Sequence, residues 1–200
     1  MENVKIVDYR GIEGLFAAEL LTDDADGITY GEPRQLCAVS TLSKSTETSS
    51  ATKYYNNIPA IITRSVGGDE VSIDASAINE QDLAWMMGEY YDEETGLYVE
   101  GEPELKYFAI GYITKKTDGS RMFVWRLKGT FGYPEVEHAT EDDGTDSAGN
   151  SITYTGVNTL HTFAKTGKTA KAVNLPEAKY AAGEAKFFET VQTPDTIAAV

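Results

Sequence analysis

Cysteine occurs once, at Cys37, and histidine twice, at His138 and His161. A lone thiol rules out an intrachain disulfide framework and a thiolate metal site, and it fits folding under reducing conditions. Two histidines make a histidine-built metal or acid–base centre improbable. No apolar run approaches the ~20 residues of a membrane span, and the first residues, MENVKIVDYRGIEG, lack the basic and apolar regions of a secretion signal. These absences predict a soluble protein, not exported by the common route and not bound to membranes by itself. Positive charge is also scarce: 17 basic residues face 32 acidic ones, a formal charge of -15. Such a surface is unsuited to ordinary nucleic-acid binding, although a wall of like charge can keep a passing polyanion from sticking.

The chain has 200 residues, 41% of them apolar, enough for one sizeable core, so a single domain over 1–200 is expected. Turn signals at Asp26-Gly27, Gly67-Gly68, Thr95-Gly96, Asp118-Gly119, Asp143-Gly144, Gly149-Asn150 and Thr166-Gly167 separate segments of strand length rich in Val, Ile, Thr, Tyr and Phe. The expected class is mostly β. In 70–78, Val71, Ile73, Ala75 and Ala77 alternate with Ser72, Asp74 and Ser76, which predicts a strand with one core face and one wet face. Gly67-Gly68-Asp69 is read as the turn of a hairpin joining IITRS to that strand. Leu83, Met86, Met87 and Tyr90 form one helical stripe over about 79–91, with Asn79 as N-cap. AKFFETV, 185–191, reads as an edge strand within the C-terminal segment 165–200.

Nine of the thirteen residues 40–52 are Ser or Thr. With no apolar periodicity, 40–58 is either a flexible loop or an arm that orders on a partner, and Tyr54 and Tyr55 at its far end are candidate anchors, with Lys44 and Lys53 beside them. LKYFAIGYIT and SRMFVWRLK flank Thr117-Asp118-Gly119 as a hairpin that is apolar on both faces. One short helix cannot cover both, so the pattern predicts a neighbouring subunit against Phe123 and Trp125, with Lys115, Lys116 and Arg121 meeting that neighbour's acidic turns.

Chemical motifs are weak. GKT at 167–169 lacks the earlier glycine of a phosphate loop, since position 162 is Thr. Asp23, Asp24 and Asp26, and Asp142, Asp143 and Asp146, look like pieces of calcium loops but lack the closing glutamate. No G-x-S-x-G elbow occurs. No enzyme, cofactor or metal is expected.

The succession YGEPRQLCAVSTLSKSTETSSATKYYNN, VSIDASA, DLAWMMG, YFAIGYITKKTDGSRMFVWRLKGTFGYPEVEHAT and NSITYTGVNTLHTF resembles the major tail proteins of long-tailed phages, phi13 type, over roughly 4–190. The resemblance implies a β-sandwich or barrel tail-tube fold with one flanking helix. It further implies hexameric rings stacked into a tube with an acidic lumen that conducts DNA, and an arm over 40–58 reaching neighbouring subunits. The partners it implies are copies of the chain, a tape measure and a tail terminator, with DNA only as transiting cargo, in a virion tail assembled in the host cytoplasm. Ser72, Asp74 and Ser76 become candidates for the lumen lining. Two other functions fit the same residues: the tube of a phage-derived, DNA-free injection particle, and a monomeric β-sandwich module binding carbohydrate or calcium through Tyr54, Tyr55 and the acidic turns.

Overall fold

A computed structural model describes residues 6–136 and 149–197. The strands, in chain order, are β1 (Tyr9–Asp23), β2 (Ile28–Tyr30), β3 (Arg34–Cys37), β4 (Val39–Tyr55), β5 (Ile58–Ala75), β6 (Tyr90–Asp92), β7 (Leu97–Val99), β8 (Phe108–Lys116), β9 (Arg121–Phe131), β10 (Glu135–Val136), β11 (Asn150–Gly156) and β12 (Ala172–Pro176). Two short helices, α1 (Glu80–Met87) and α2 (Gly183–Glu189), accompany them. Ten strands form one antiparallel sheet along the path β2-β1-β8-β9-β11-β5-β4, with β3 on β1, β12 on β9 and β10 on β11, while β6 and β7 pair separately. The fold is therefore mostly β, as the sequence predicts.

The sheet is shared between two cores. Leu15 and Ala17 of β1, Ile110 of β8, Val71 and Ile73 of β5, and Ile152 and Tyr154 of β11 meet in one cluster with Met86 and Met87 of α1. Strands from both halves of the path thus face each other across that interior. The opposite side of β8–β9 forms the second cluster, where Phe123, Trp125 and Leu127 pack on Phe163, Phe187, Phe188 and Val191. β8–β9 is consequently a middle layer. That is why both of its faces are apolar, and the turn Asp118-Gly119, with Gly119 at φ 82°, closes it as expected. Gly111 has to lack a side chain, because a Cβ there would lie 2.9 Å from the Trp125 ring and 3.0 Å from Phe188.

Local signals explain α1. The Asn79 side chain accepts from the Asp82 N–H at 2.8 Å, and Gly88 ends the helix in the left-handed region at φ 68°. The helix is shorter than its stripe predicts: Tyr90 lies in β6 and is exposed. AKFFETV is not an edge strand. Most of it forms α2, a second helix, whose Phe187 and Phe188 fill the second core.

The largest departure concerns 39–75. Gly67-Gly68 makes no turn; β5 runs through it, and β4 pairs with β5 from Val39↔Ala75 to Tyr55↔Ile58. The reversal occurs at Asn56-Asn57, both at positive φ (51° and 64°), the backbone of a two-residue type I′ hairpin turn that asparagine tolerates. Residues 40–55 are thus a strand and not a loop. Thr and Tyr supply the local propensity, and pairing with β5 supplies the rest.

Candidate assembly surfaces

The basic tip of β8–β9 is engaged within the chain. Lys115 donates to Glu13, and Arg121 reaches Glu13 at 3.2 Å, Glu177 at 2.7 Å and Glu184 at 2.5 Å. The Lys115 hydrogen bond outweighs desolvation and holds the Glu13 carboxyl below its ordinary range, and the hydrogen bond to Glu184 raises the Arg121 guanidinium further. Lys116 is half-buried at the end of β8. Phe123 and Trp125 have no exposed surface at all, and the Trp125 indole N–H donates to the Phe187 carbonyl at 3.1 Å. The expectation that this ribbon needs a neighbouring subunit is therefore corrected. α2 and the C-terminal segment cover its second face, and Lys115 and Arg121 at its tip meet this chain's own carboxylates.

The second hairpin has the opposite character. Every residue from 47 to 66 is exposed. β4 runs nine residues beyond Thr46, to Tyr55, so the outer ribbon extends ~30 Å beyond its root at about 3.3 Å per residue. Tyr54, Tyr55, Ile58, Ile62 and Val66 are each 58–67% exposed, and Ile61 is 45% exposed. Tyr54 and Tyr55 are consecutive strand residues and so stand on opposite faces. Apolar side chains surround the tip. Lys53 lies near that tip, whereas Lys44 lies at the root.

The root is a buried charge cluster. Asp69 is 4% exposed and Arg126 is 6% exposed. The Arg126 guanidinium donates to the Asp69 carboxylate at 2.7 Å, Thr46 Oγ1 donates at 2.8 Å, Lys171 donates at 3.3 Å, and Lys44 approaches to 4.0 Å. Lys171 also donates to the Gly67 carbonyl. Burial alone would raise the Asp69 carboxyl, but the Thr46 and Lys171 hydrogen bonds and the neighbouring cations bring it below its ordinary value. The β4–β5 register shifts between Thr46 and Thr48, where the ribbon leaves the cores. The sequence places Asp69 in a turn and Lys44 at an interface, and it does not announce this cluster. Asp69 is 57 and 102 positions from Arg126 and Lys171 respectively, so no local spacing brings them together.

Ser72 and Asp74 point outward on β5, as predicted, while Val71, Ile73 and Ala75 face the core, and Ser76 is exposed in the bend just past the strand's end. Ala77, beyond the strand's end, is exposed. Register extends the wet face across the sheet: Asp74 lies between Thr41 and Ser151, and Ser72 between Ser43 and Thr153. Thr41 donates its hydroxyl to the Asp74 carboxylate. The result is a sheet face of hydroxyls with Asp74 and Glu70 as its carboxylates.

The remaining candidates are structural. Asp23 accepts from the Leu160 and His161 backbone N–H groups and from Lys128 at 2.7 Å, and Asp24 caps the turn by accepting from Asp26 and Gly27. Among the described residues no group of three or more His, Cys, Asp or Glu is placed to hold a metal, and no helix is long and apolar enough to cross a membrane. Asp142, Asp143, Asp146 and His138 lie outside the described residues. His161 sits in a bend with its ring edge-on to Phe163. Burial pushes the Cys37 thiol up to about 11, which leaves it unreactive at neutral pH. GKT at 167–169 is a turn, with the Gly167 N–H bonded to the Phe163 carbonyl at 2.8 Å.

Comparison of the sequence with protein-family models and with curated proteins finds no match.

Proposed function

We propose that this chain is a structural, non-catalytic subunit that polymerises with copies of itself into a phage tail tube. The observation that carries the reading is the β4–β5 arm, in which twenty consecutive residues, 47–66, form a regular ribbon with no buried side chain and six large exposed apolar ones. A long strand pair with apolar faces and a free β4 edge is an aggregation hazard in a protein that stays monomeric. Within an assembly the same surface is covered. The neighbours in this reading are copies of the chain in stacked hexameric rings, with a tape measure and a tail terminator as further partners in the virion tail.

The wet face of β4, β5 and β11 supports the reading as a lumen wall. Six copies of Asp74 and Glu70 around a channel form rings of negative charge that repel DNA phosphates within a Debye length of about 10 Å at 0.1 M salt. Fast passage of DNA requires weak wall contacts, and hydroxyls interspersed with carboxylates provide them. A carbohydrate-binding module is less well supported, because Tyr54 and Tyr55 stand on opposite faces and make no single stacking platform.

The test is negative-stain microscopy of the purified protein, concentrated at neutral pH, beside a variant in which 48–65 is replaced by an Asn-Gly turn. Rings or tubes are expected from the full chain. The variant should melt as the full chain does and remain dispersed. A full chain that stays monomeric at every concentration, or a shortened chain that still forms normal tubes, overturns the proposal.

A further inference from the structure

The arm has a chemical character of its own. Residues 48–66 contain Lys53 and Arg64 and no carboxylate, in a chain where acids outnumber bases nearly two to one. The outer arm is therefore cationic and apolar together, with Lys53 near its tip and Arg64 midway along it, opposite Ser50. A surface that complements it joins exposed apolar side chains to unpaired negative charge.

Such a surface exists at 89–105. This stretch, EYYDEETGLYVEGEPEL, holds seven carboxylates and no lysine or arginine. None of the seven has an ion-pair partner among the described residues. Glu89 is occupied by the Tyr98 and Tyr133 hydroxyls and the Gly101 N–H, and Asp92 by Thr95 and the Glu94 N–H. Glu93, Glu94, Glu100, Glu102 and Glu104 are exposed. Among them stand Tyr90, Leu97, Val99 and Leu105, at 63%, 54%, 44% and 71% exposure. Leu105 also borders a cleft of about 160 Å³ between Met86, Met87, Pro103, Phe131 and Tyr133, which has room for the end of an isoleucine or tyrosine side chain.

We infer that the arm tip of one copy docks on the 89–105 surface of a second copy, with Lys53 and Arg64 against its carboxylates and the tip's tyrosines and isoleucines against its apolar side chains. The contact is between copies because no residue from 47 to 66 touches its own chain's body closely enough to be even half-buried. This inference rests on the tube reading and adds the receiving surface to it.

Two measurements test it on the full chain. In the first, unlabelled and ¹⁵N-labelled wild-type protein are assembled together and treated with a carbodiimide, which joins an amine to a touching carboxylate without a spacer. Mass spectrometry of the digest is expected to find Lys53 joined to carboxylates of 89–104 across labelled and unlabelled copies. In the second, Lys53→Glu with Arg64→Glu should raise the concentration needed for assembly about tenfold or more, and adding Glu93→Lys with Glu94→Lys should restore it. All four positions are exposed strand or turn residues, so melting temperature should stay unchanged. Tubes in which Lys53 joins other carboxylates, or in which the second pair of changes rescues nothing, overturn the receiving surface and leave the tube reading standing. Failure of wild-type protein to assemble overturns both.

Discussion

Both long hairpins of this chain carry apolar side chains on their two faces, yet β8–β9 lies between two cores while the outer half of β4–β5 touches neither. In β8–β9 the apolar faces are covered from within, by α1 and the β5–β11 half of the sheet on one side and by α2 on the other. In the outer half of β4–β5 they are covered by nothing among the described residues. Two-sided hydrophobicity therefore does not by itself indicate a partner. What distinguishes the ribbons is whether the rest of the sequence supplies enough covering layers.

Substitutions can separate the two ribbons. Trp125→Ala opens a large void between β9 and α2 and is expected to cost about 3–5 kcal/mol, read as a lowered denaturant midpoint. Wild-type stability in that variant would mean that the second core is not packed as described. Asp69→Ala leaves the buried Arg126 guanidinium without its carboxylate and is expected to cost a similar or slightly smaller amount, about 3 kcal/mol. Because Asp69 holds the root of the arm, this variant should also speed amide exchange in 46–67 beyond that in β8–β9. Equal acceleration in both ribbons would remove the special role of the root.

A smaller effect is expected from acid. The Asp69 and Glu13 carboxyls are held below their ordinary values of 3.8 and 4.5, so the folded chain binds fewer protons than the unfolded chain. Their contribution is complete above the ordinary values and is lost as pH falls through the depressed ones. Chemical denaturation at pH 6 and pH 3 should show the loss, and Asp69→Asn should flatten the profile. Arg121→Ala, which removes one half-exposed hub of three carboxylates, is expected to cost about 1 kcal/mol. Tyr54→Ser and Ile62→Ser on the arm should fall within about 0.5 kcal/mol of wild type in stability, while tube formation measured by light scattering drops sharply. Loss of folding stability in either arm variant would break the contrast between the ribbons.

Much of the architecture was legible in the residues. The mostly-β class, the β8–β9 turn, the Asn79 cap and the outward Ser72, Asp74 and Ser76 all follow from local chemistry and period. What was misread depended on distant partners. Gly67-Gly68 looked like a turn, but a Cβ on Gly67 would lie 2.9 Å from Glu47, and one on Gly68 3.1 Å from the Gly156 carbonyl. These glycines permit close approach inside a strand. Asn56-Asn57 is the actual turn and was passed over in favour of the glycine pair. The β formers of AKFFETV were overridden because a seven-residue helix is stabilised mainly by what it packs against, here Trp125 and Phe123. With 185–191 read as a strand, the second face of β8–β9 has no cover in the sequence, and an internally complete ribbon resembles a subunit contact.

In the proposed tube, the Asp69–Arg126 pair at the base of the arm bears on how fast copies can join. Because the ribbon is already folded and clamped before it meets anything, capture forfeits little backbone freedom. Growth of a polymer from such subunits is then limited by collision and orientation rather than by the winding up of a loose tether.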